Sequence, residues 1–163
     1  MIVPVTRFNP ININRTIPNH VSIADKPSSV TARETASPAD RLLGTALERA
    51  TAAARVAEEM RGTNVHLLDL RGLTQLFDYF VIVTGTSRRQ LHAIADEIAK
   101  VLKKDMHDVR RGIEGYEDGR WIVLDYGDVV VHLFDKDSRD YWDLEQLWSD
   151  ARMVALPAVE AAE

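Results

Sequence analysis

The chain contains no cysteine and no long apolar run, and each absence closes a route to function. Without cysteine there is no disulfide framework, no cysteine-ligated zinc and no thiol nucleophile, which fits a reducing compartment. No segment approaches the roughly 18 apolar residues of a membrane span, and Pro4, Pro10 and Pro18 interrupt any signal-peptide core near the start. A basic surplus is missing too. With 20 Lys and Arg against 25 Asp and Glu, the formal net charge is -5, which argues against bulk electrostatic binding of nucleic acid. Any RNA contact is expected to be local. The default location is cytoplasmic, although the first 24 residues lack Asp and Glu while holding Arg7 and Arg15, which leaves a transit peptide open.

What is present suffices for one core. At 163 residues with 45% hydrophobic side chains, a single folded domain with appendages is expected. Residues 1–38 hold five of the six prolines and no sustained periodicity, so they read as a disordered leader. The domain is expected over 39–151, with 152–163 as an alanine-rich tail. Within it, Leu42, Leu43, Ala46, Leu47, Ala50, Ala53, Ala54, Ala57 and Met60 recur at helical steps from Asp40, and Gly62 is a suitable stop. VHLLDL at Val65–Leu70 and YFVIVTG at Tyr79–Gly85 read as strands separated by RGLTQLFD. Ser87 then opens an amphipathic helix with Leu91, Ile94, Ala95, Ile98, Val101 and Leu102 on one face, Ser87 and Gln90 forming a capping box. That helix should end near Lys104. A weak strand is expected around Val109–Ile113, and a last helix over about Ser138–Ala151, on which Tyr141, Leu144 and Trp148 share a docking face and Trp142 falls outside it.

The stretch WIVLDYGDVVVHLF, Trp121–Phe134, reads as a hairpin about Gly127-Asp128, a Gly-first loop suited to a type II′ turn. Folding there sets Trp121 opposite Phe134, Ile122 opposite Leu133, Val123 opposite His132, Leu124 opposite Val131 and Asp125 opposite Val130. Opposed residues share a face. Ile122, Leu124, Tyr126, Val129, Val131 and Leu133 therefore form an apolar face, while Trp121, Val123, Asp125, Val130, His132 and Phe134 form a mixed one whose composition resembles a binding surface.

Catalytic constellations are weak. TGTSRR at Thr84–Arg89 sits at a strand-to-helix junction and could receive a phosphate, but it lacks a Gly-x-Gly-x-x-Gly pattern and a Walker lysine, and Ser87 explains itself as an N-cap. Metal-dependent nucleotidyl transfer needs carboxylates converging on one ion. Asp135 and Asp137 have the nearest spacing but lie beyond a strand end and read as a solvated loop. The histidines, His20, His66, His92, His107 and His132, show no ligand spacing, and His92 with Asp96 reads as a surface pair. No cofactor or metal ligand set is expected.

Three pieces together, DYFVIVTGTS at Asp78–Ser87, IEGYEDGRWIVLDYGDVVVHLF at Ile113–Phe134 and SRDYWDLEQLW at Ser138–Trp148, resemble the ribosomal silencing factor (Iojap-like) family. The likeness runs over about 55–151. It implies a mixed α/β fold, a roughly five-stranded sheet with helices mainly on one face and a nucleotidyltransferase-like core without catalytic carboxylates. It also implies a non-enzymatic role: binding the large ribosomal subunit through its fourteenth ribosomal protein, blocking an intersubunit bridge and preventing subunit association when nutrients are short. The contact surface implied is Trp121, Asp125, His132, Arg139, Trp142 and Glu145, with Trp121 as central anchor. At the position of Trp142 the family more often has tyrosine, and the leader matches nothing in it. The resemblance admits a homodimer of the free protein. The competing reading is a small nucleotidyl- or phosphoryl-transfer enzyme that holds phosphate at TGTSRR.

Overall fold

The structure, a computed structural model, describes residues 44–156; the expected leader, the helix start at Asp40 and the end of the tail lie outside them. The first helix, α1 (Ala46–Glu59), begins at Thr45, whose side chain accepts from the Glu48 N–H while the Glu48 carboxylate accepts from the Thr45 N–H, a complete capping box. It leads into β1 (Thr63–Asp69), the connector 70–78, β2 (Tyr79–Thr84) and α2 (Arg88–Asp105). Ser87 caps α2 as expected, but the Gln90 side chain reaches past it to accept from the Thr86 N–H and hydroxyl, so the second half of the expected box is displaced by one residue. There follow β3 (Gly112–Glu114), β4 (Trp121–Asp125), β5 (Val129–Phe134), α3 (Lys136–Trp142), α4 (Leu144–Leu147) and β6 (Arg152–Met153).

The strands form one open mixed sheet in the order β3-β4-β5-β2-β1-β6. It has six strands rather than about five, because Arg152 and Met153 pair with Asp69 and Leu68 beyond the last helix. Two residues carry too little pattern for periodicity to find. The β4–β5 register is the expected one, from Trp121 opposite Phe134 to Asp125 opposite Val130, and Gly127 at the turn has φ +92°. That conformation is costly for residues with a Cβ. β2 and β5 run parallel, with Tyr79 beside Val129 and Thr84 beside Phe134.

The apolar hairpin face lies under α1 and α2. Ile122, Leu124, Val129, Val131 and Leu133 are fully buried with Val81, Val83, Leu91, Ile94 and Ala50, Ala53, Ala54 and Ala57 of α1. Each large aliphatic side chain buried there stabilises the fold by about 1.5–3 kcal/mol before entropy is counted. The alanine stripe of α1 lets that helix approach closely. Arg49 fixes it at the hairpin turn, donating to Asp108 and Asp128 at 2.6 Å each. Burial works against the Arg49 charge, but the two carboxylates outweigh it and raise its pKa.

Candidate protein-docking site

The chain leaves β5 at Phe134 and turns back across the other face of the sheet. Asp135 caps α3 by accepting from the Ser138 N–H at 2.7 Å. The helix stops at Asp143, which adopts a left-handed conformation with φ +39°. Aspartate tolerates that region better than most residues, and its carboxylate then accepts from the Gln146 N–H to start α4. The single helix expected over Ser138–Ala151 is therefore two short ones. With the break, the expected Tyr141, Leu144 and Trp148 face does not form: Leu144 is buried, whereas Tyr141 is 78% exposed.

Beneath α3 and α4 lies an aromatic layer drawn from the mixed face. Trp121 stacks on Phe134 with ring centroids 4.8 Å apart, and its indole N–H donates to His132 Nδ1 at 3.3 Å. That bond places the imidazole proton on Nε2, which has no hydrogen-bond partner among the described residues. His132 meets Phe80 edge-on at 4.7 Å, and Phe80 in turn contacts Trp148 and Phe77 at 5.7 and 5.3 Å. Burial holds His132 neutral, its pKa pushed down to about 3. Trp142 lies over Trp121 at 5.3 Å and is 42% exposed, with Tyr141 edge-on against it.

Arg139 pins this segment to the sheet. Its side chain is buried and donates to the Asn64 carbonyl at 2.7 Å, to the Thr84 hydroxyl at 2.8 Å, and to Glu145. It also stands 3.1 Å from His66 Nδ1, which is the same distance from Glu145. Burial opposes charge on Glu145, but the hydrogen bond and charge of Arg139 win and hold its pKa below the usual range. The pair spans Asp143, so it locks the bend that follows Trp142.

The six residues singled out from the sequence thus divide into three groups. Trp121 touches both His132 and Trp142. Arg139 and Glu145 form the pin beside them. Asp125 stands at the opposite end of β4, where its carboxylate accepts from the Gly127 N–H at 2.7 Å and secures the turn. Burial further divides the set: Trp121, His132 and Arg139 are covered, while Trp142 is exposed. Other exposed apolar residues neighbour members of the layer in sequence: Leu147 before Trp148, and Leu73 and Leu76 in the connector that carries Phe77. A connector as short as RGLTQLFD with two leucines and a phenylalanine is an unusual loop composition, and that signal could have found them.

The residues of the phosphate-transfer reading have other partners. Asp135 accepts from the Ser138 N–H and from Arg120, and Ser87 caps α2. A cleft of about 500 Å³ opens where β2 and β5 end, lined by Thr84, Gly85, Asp135, Asp137 and neighbours. Among the described residues no cluster of three or more His, Asp or Glu could hold a metal ion, and no helix is long and apolar enough to cross a membrane. His92 and Asp96 do not pair with each other: both engage Tyr116, whose ring stacks on His92 at 4.3 Å and whose hydroxyl donates to Asp96. The class defined by these features is a single-sheet α/β domain with a packed aromatic face and an apolar surface patch.

Residues 44–163 match the family described as "Ribosomal silencing factor during starvation". A "Ribosomal silencing factor RsfS" of Halalkalibacterium halodurans is 41% identical over 107 residues, 66% of this chain and 91% of that protein. A crystal structure of a Chromobacterium violaceum protein superposes with a TM-score of 0.62 at 34% identity, covering 73% of this chain and 95% of the other. The mouse "Mitochondrial assembly of ribosomal large subunit protein 1" is 40% identical over 74 residues, 44% of this chain and 32% of that protein. The chain belongs to the ribosomal silencing factor family. Its place is therefore among proteins of ribosome silencing and translation regulation, whose members carry the names of regulators rather than enzymes.

Proposed function

We propose that this chain silences ribosomes by docking on the large subunit through the patch centred on Trp142, chiefly against the fourteenth ribosomal protein, so that it occupies an intersubunit bridge. Blocking the bridge requires no chemistry. A domain of this size held at that position excludes the small subunit by volume, provided its affinity exceeds that of the competing subunit. Translation then falls in the cytoplasm when nutrients are short. The observation that carries this reading is an exposed tryptophan seated on a buried aromatic layer with Tyr141 edge-on against it. Exposed Trp and Tyr held in fixed conformations are the side chains that dominate interface energetics.

In this reading Trp142 touches the partner, Trp121 and His132 form its floor, Arg139 and Glu145 set its orientation, and Asp125 acts only through the hairpin turn. Two copies meeting through the same patch would make a homodimer of the free protein that excludes ribosome binding. The mouse relative named for large-subunit assembly supports the choice of subunit. Purified subunits are mixed with the protein and joining is read by sedimentation. Wild type should travel with the large subunit and suppress joining, while Trp142→Ala, melting close to wild type, should bind at least tenfold more weakly, as loss of a central anchor does. If the variant suppresses joining as well as wild type, the assigned surface is wrong; if wild type ignores the large subunit, the mechanism is wrong.

A further inference from the structure

We infer that the last turn of α2 and the chain reversal after it form a contact for the phosphate backbone of structured RNA. The domain is acidic, yet Lys103, Lys104, Arg110 and Arg111 fall within nine residues, and none has an ion-pair partner among the described residues. Two carboxylates share this stretch. Asp108 is neutralised by Arg49 at 2.6 Å, which leaves Asp105 alone against four cations. Lys103, Lys104 and Arg111 are exposed, so their field reaches solvent.

The fold spreads these charges instead of converging them. His107, with φ +54°, turns the chain from α2 towards the edge strand β3. Arg110 stands near the hydroxyls of Tyr116 and Tyr126, on the helix-covered side, where its charge opposes the burial that pushes the Tyr126 pKa up to about 12. Arg111 instead lies against Gly127 at the hairpin turn. Cations spread from a helix end to a sheet edge and a hairpin turn suit a polyanion with distributed phosphates better than one small phosphate. The nearby aromatics are occupied: Tyr116 is stacked on His92 and Tyr126 is buried. The exposed His107 imidazole is the one small ring left in this stretch, so the contact is chiefly to backbone, as in shape-based recognition of paired RNA.

A guard against edge-to-edge pairing explains Arg110 and Arg111 beside β3. It does not reach Lys103 and Lys104, which lie in the last turn of a helix and complement its macrodipole, a role that leaves their unpaired charges facing solvent. The inference rests on the large-subunit reading only for which RNA is met, and it gives that reading a second contact away from Trp142.

The test uses the full chain and a fluorescein-labelled RNA hairpin, with anisotropy followed across about 50–200 mM salt. Wild type should bind weakly and lose affinity as salt rises. The triple variant Lys103→Gln, Lys104→Gln, Arg111→Gln alters exposed positions and should melt like wild type while binding at least tenfold more weakly, its log-log salt slope reduced by about 2–3. Trp142→Ala should bind the hairpin normally, which separates failure of this contact from failure of the docking patch. No RNA binding by wild type, or equal binding by the triple variant, overturns the inference. So does equal affinity for polyglutamate or for phosphatidylserine vesicles, since the patch would then be a general cation surface or a membrane contact.

Discussion

On one side of the sheet, helices of 14 and 18 residues lie over strand side chains that are all aliphatic or tyrosine; on the other, helices of 7 and 4 residues lie over Trp121, His132, Phe80 and Phe134. Both faces are buried, but by different means. The first is covered by long amphipathic helices whose apolar stripes match the sheet. The second is covered by an irregular segment held through Arg139, with Trp142, Tyr141 and Leu147 left at the surface. The first side carries the larger aliphatic core, and the proposed docking patch lies on the second. A face that must present aromatic groups to a partner cannot also bury them all.

The largest effect that would sharpen this contrast is expected from Leu124→Ala, which opens a cavity under α2. Unfolding in urea should show a loss of about 3 kcal/mol. A loss below about 1 kcal/mol would mean that the helix-covered side is not the stable one. Acid should act next, through the other face. An ordinary histidine titrates near 6.5, whereas His132 is pushed down to about 3 by burial. The unfolded chain therefore takes up its proton first, and the stability from keeping this ring neutral is complete above about pH 6.5 and declines as pH falls towards 3. Between pH 6.5 and 5 the loss should be about 2 kcal/mol. His132→Gln should remove most of that slope; an unchanged profile would place the acid sensitivity elsewhere.

Arg139→Gln should cost about 1–2 kcal/mol, because the Thr84 hydroxyl and the Asn64 carbonyl lose a donor and Glu145 loses its counter-charge. Large-subunit binding should fall with it even where the protein remains folded, since the bend after Trp142 is no longer locked. Retained binding would show that the pin is structural only. The smallest change in stability is expected for Trp142→Ala, within about 1 kcal/mol by thermal melting because the ring is already 42% exposed. A larger loss would make Trp142 part of the core and erase the contrast between the faces.

Much of the architecture was legible before folding. The β4–β5 register follows from alternation about Gly127-Asp128, since a slip of one residue would take Val131 and Leu133 off the face they share with Ile122 and Leu124. The α2 stripe and its Ser87 cap follow from helical spacing. Asp143 defeated the same reasoning in the last helix. One aspartate in the left-handed region breaks the helix, and nothing in RDYWDLEQLW marks it, because the hydrophobic spacing continues through the break. Tyr141, which helical spacing places on the docking face, is consequently exposed.

The sequence by itself determined the class of fold, the hairpin faces and the family, because these depend on local periodicity and on motifs read along the chain. Only the tertiary structure decided that Trp121 and His132 lie beneath the surface while Trp142 lies on it, that Arg139 and Glu145 bind each other across the bend, and that Arg49 joins α1 to the hairpin turn. These are contacts between residues far apart in the chain or across a local break in the helix. Spacing shows which residues can share a face; it cannot show what is laid over that face.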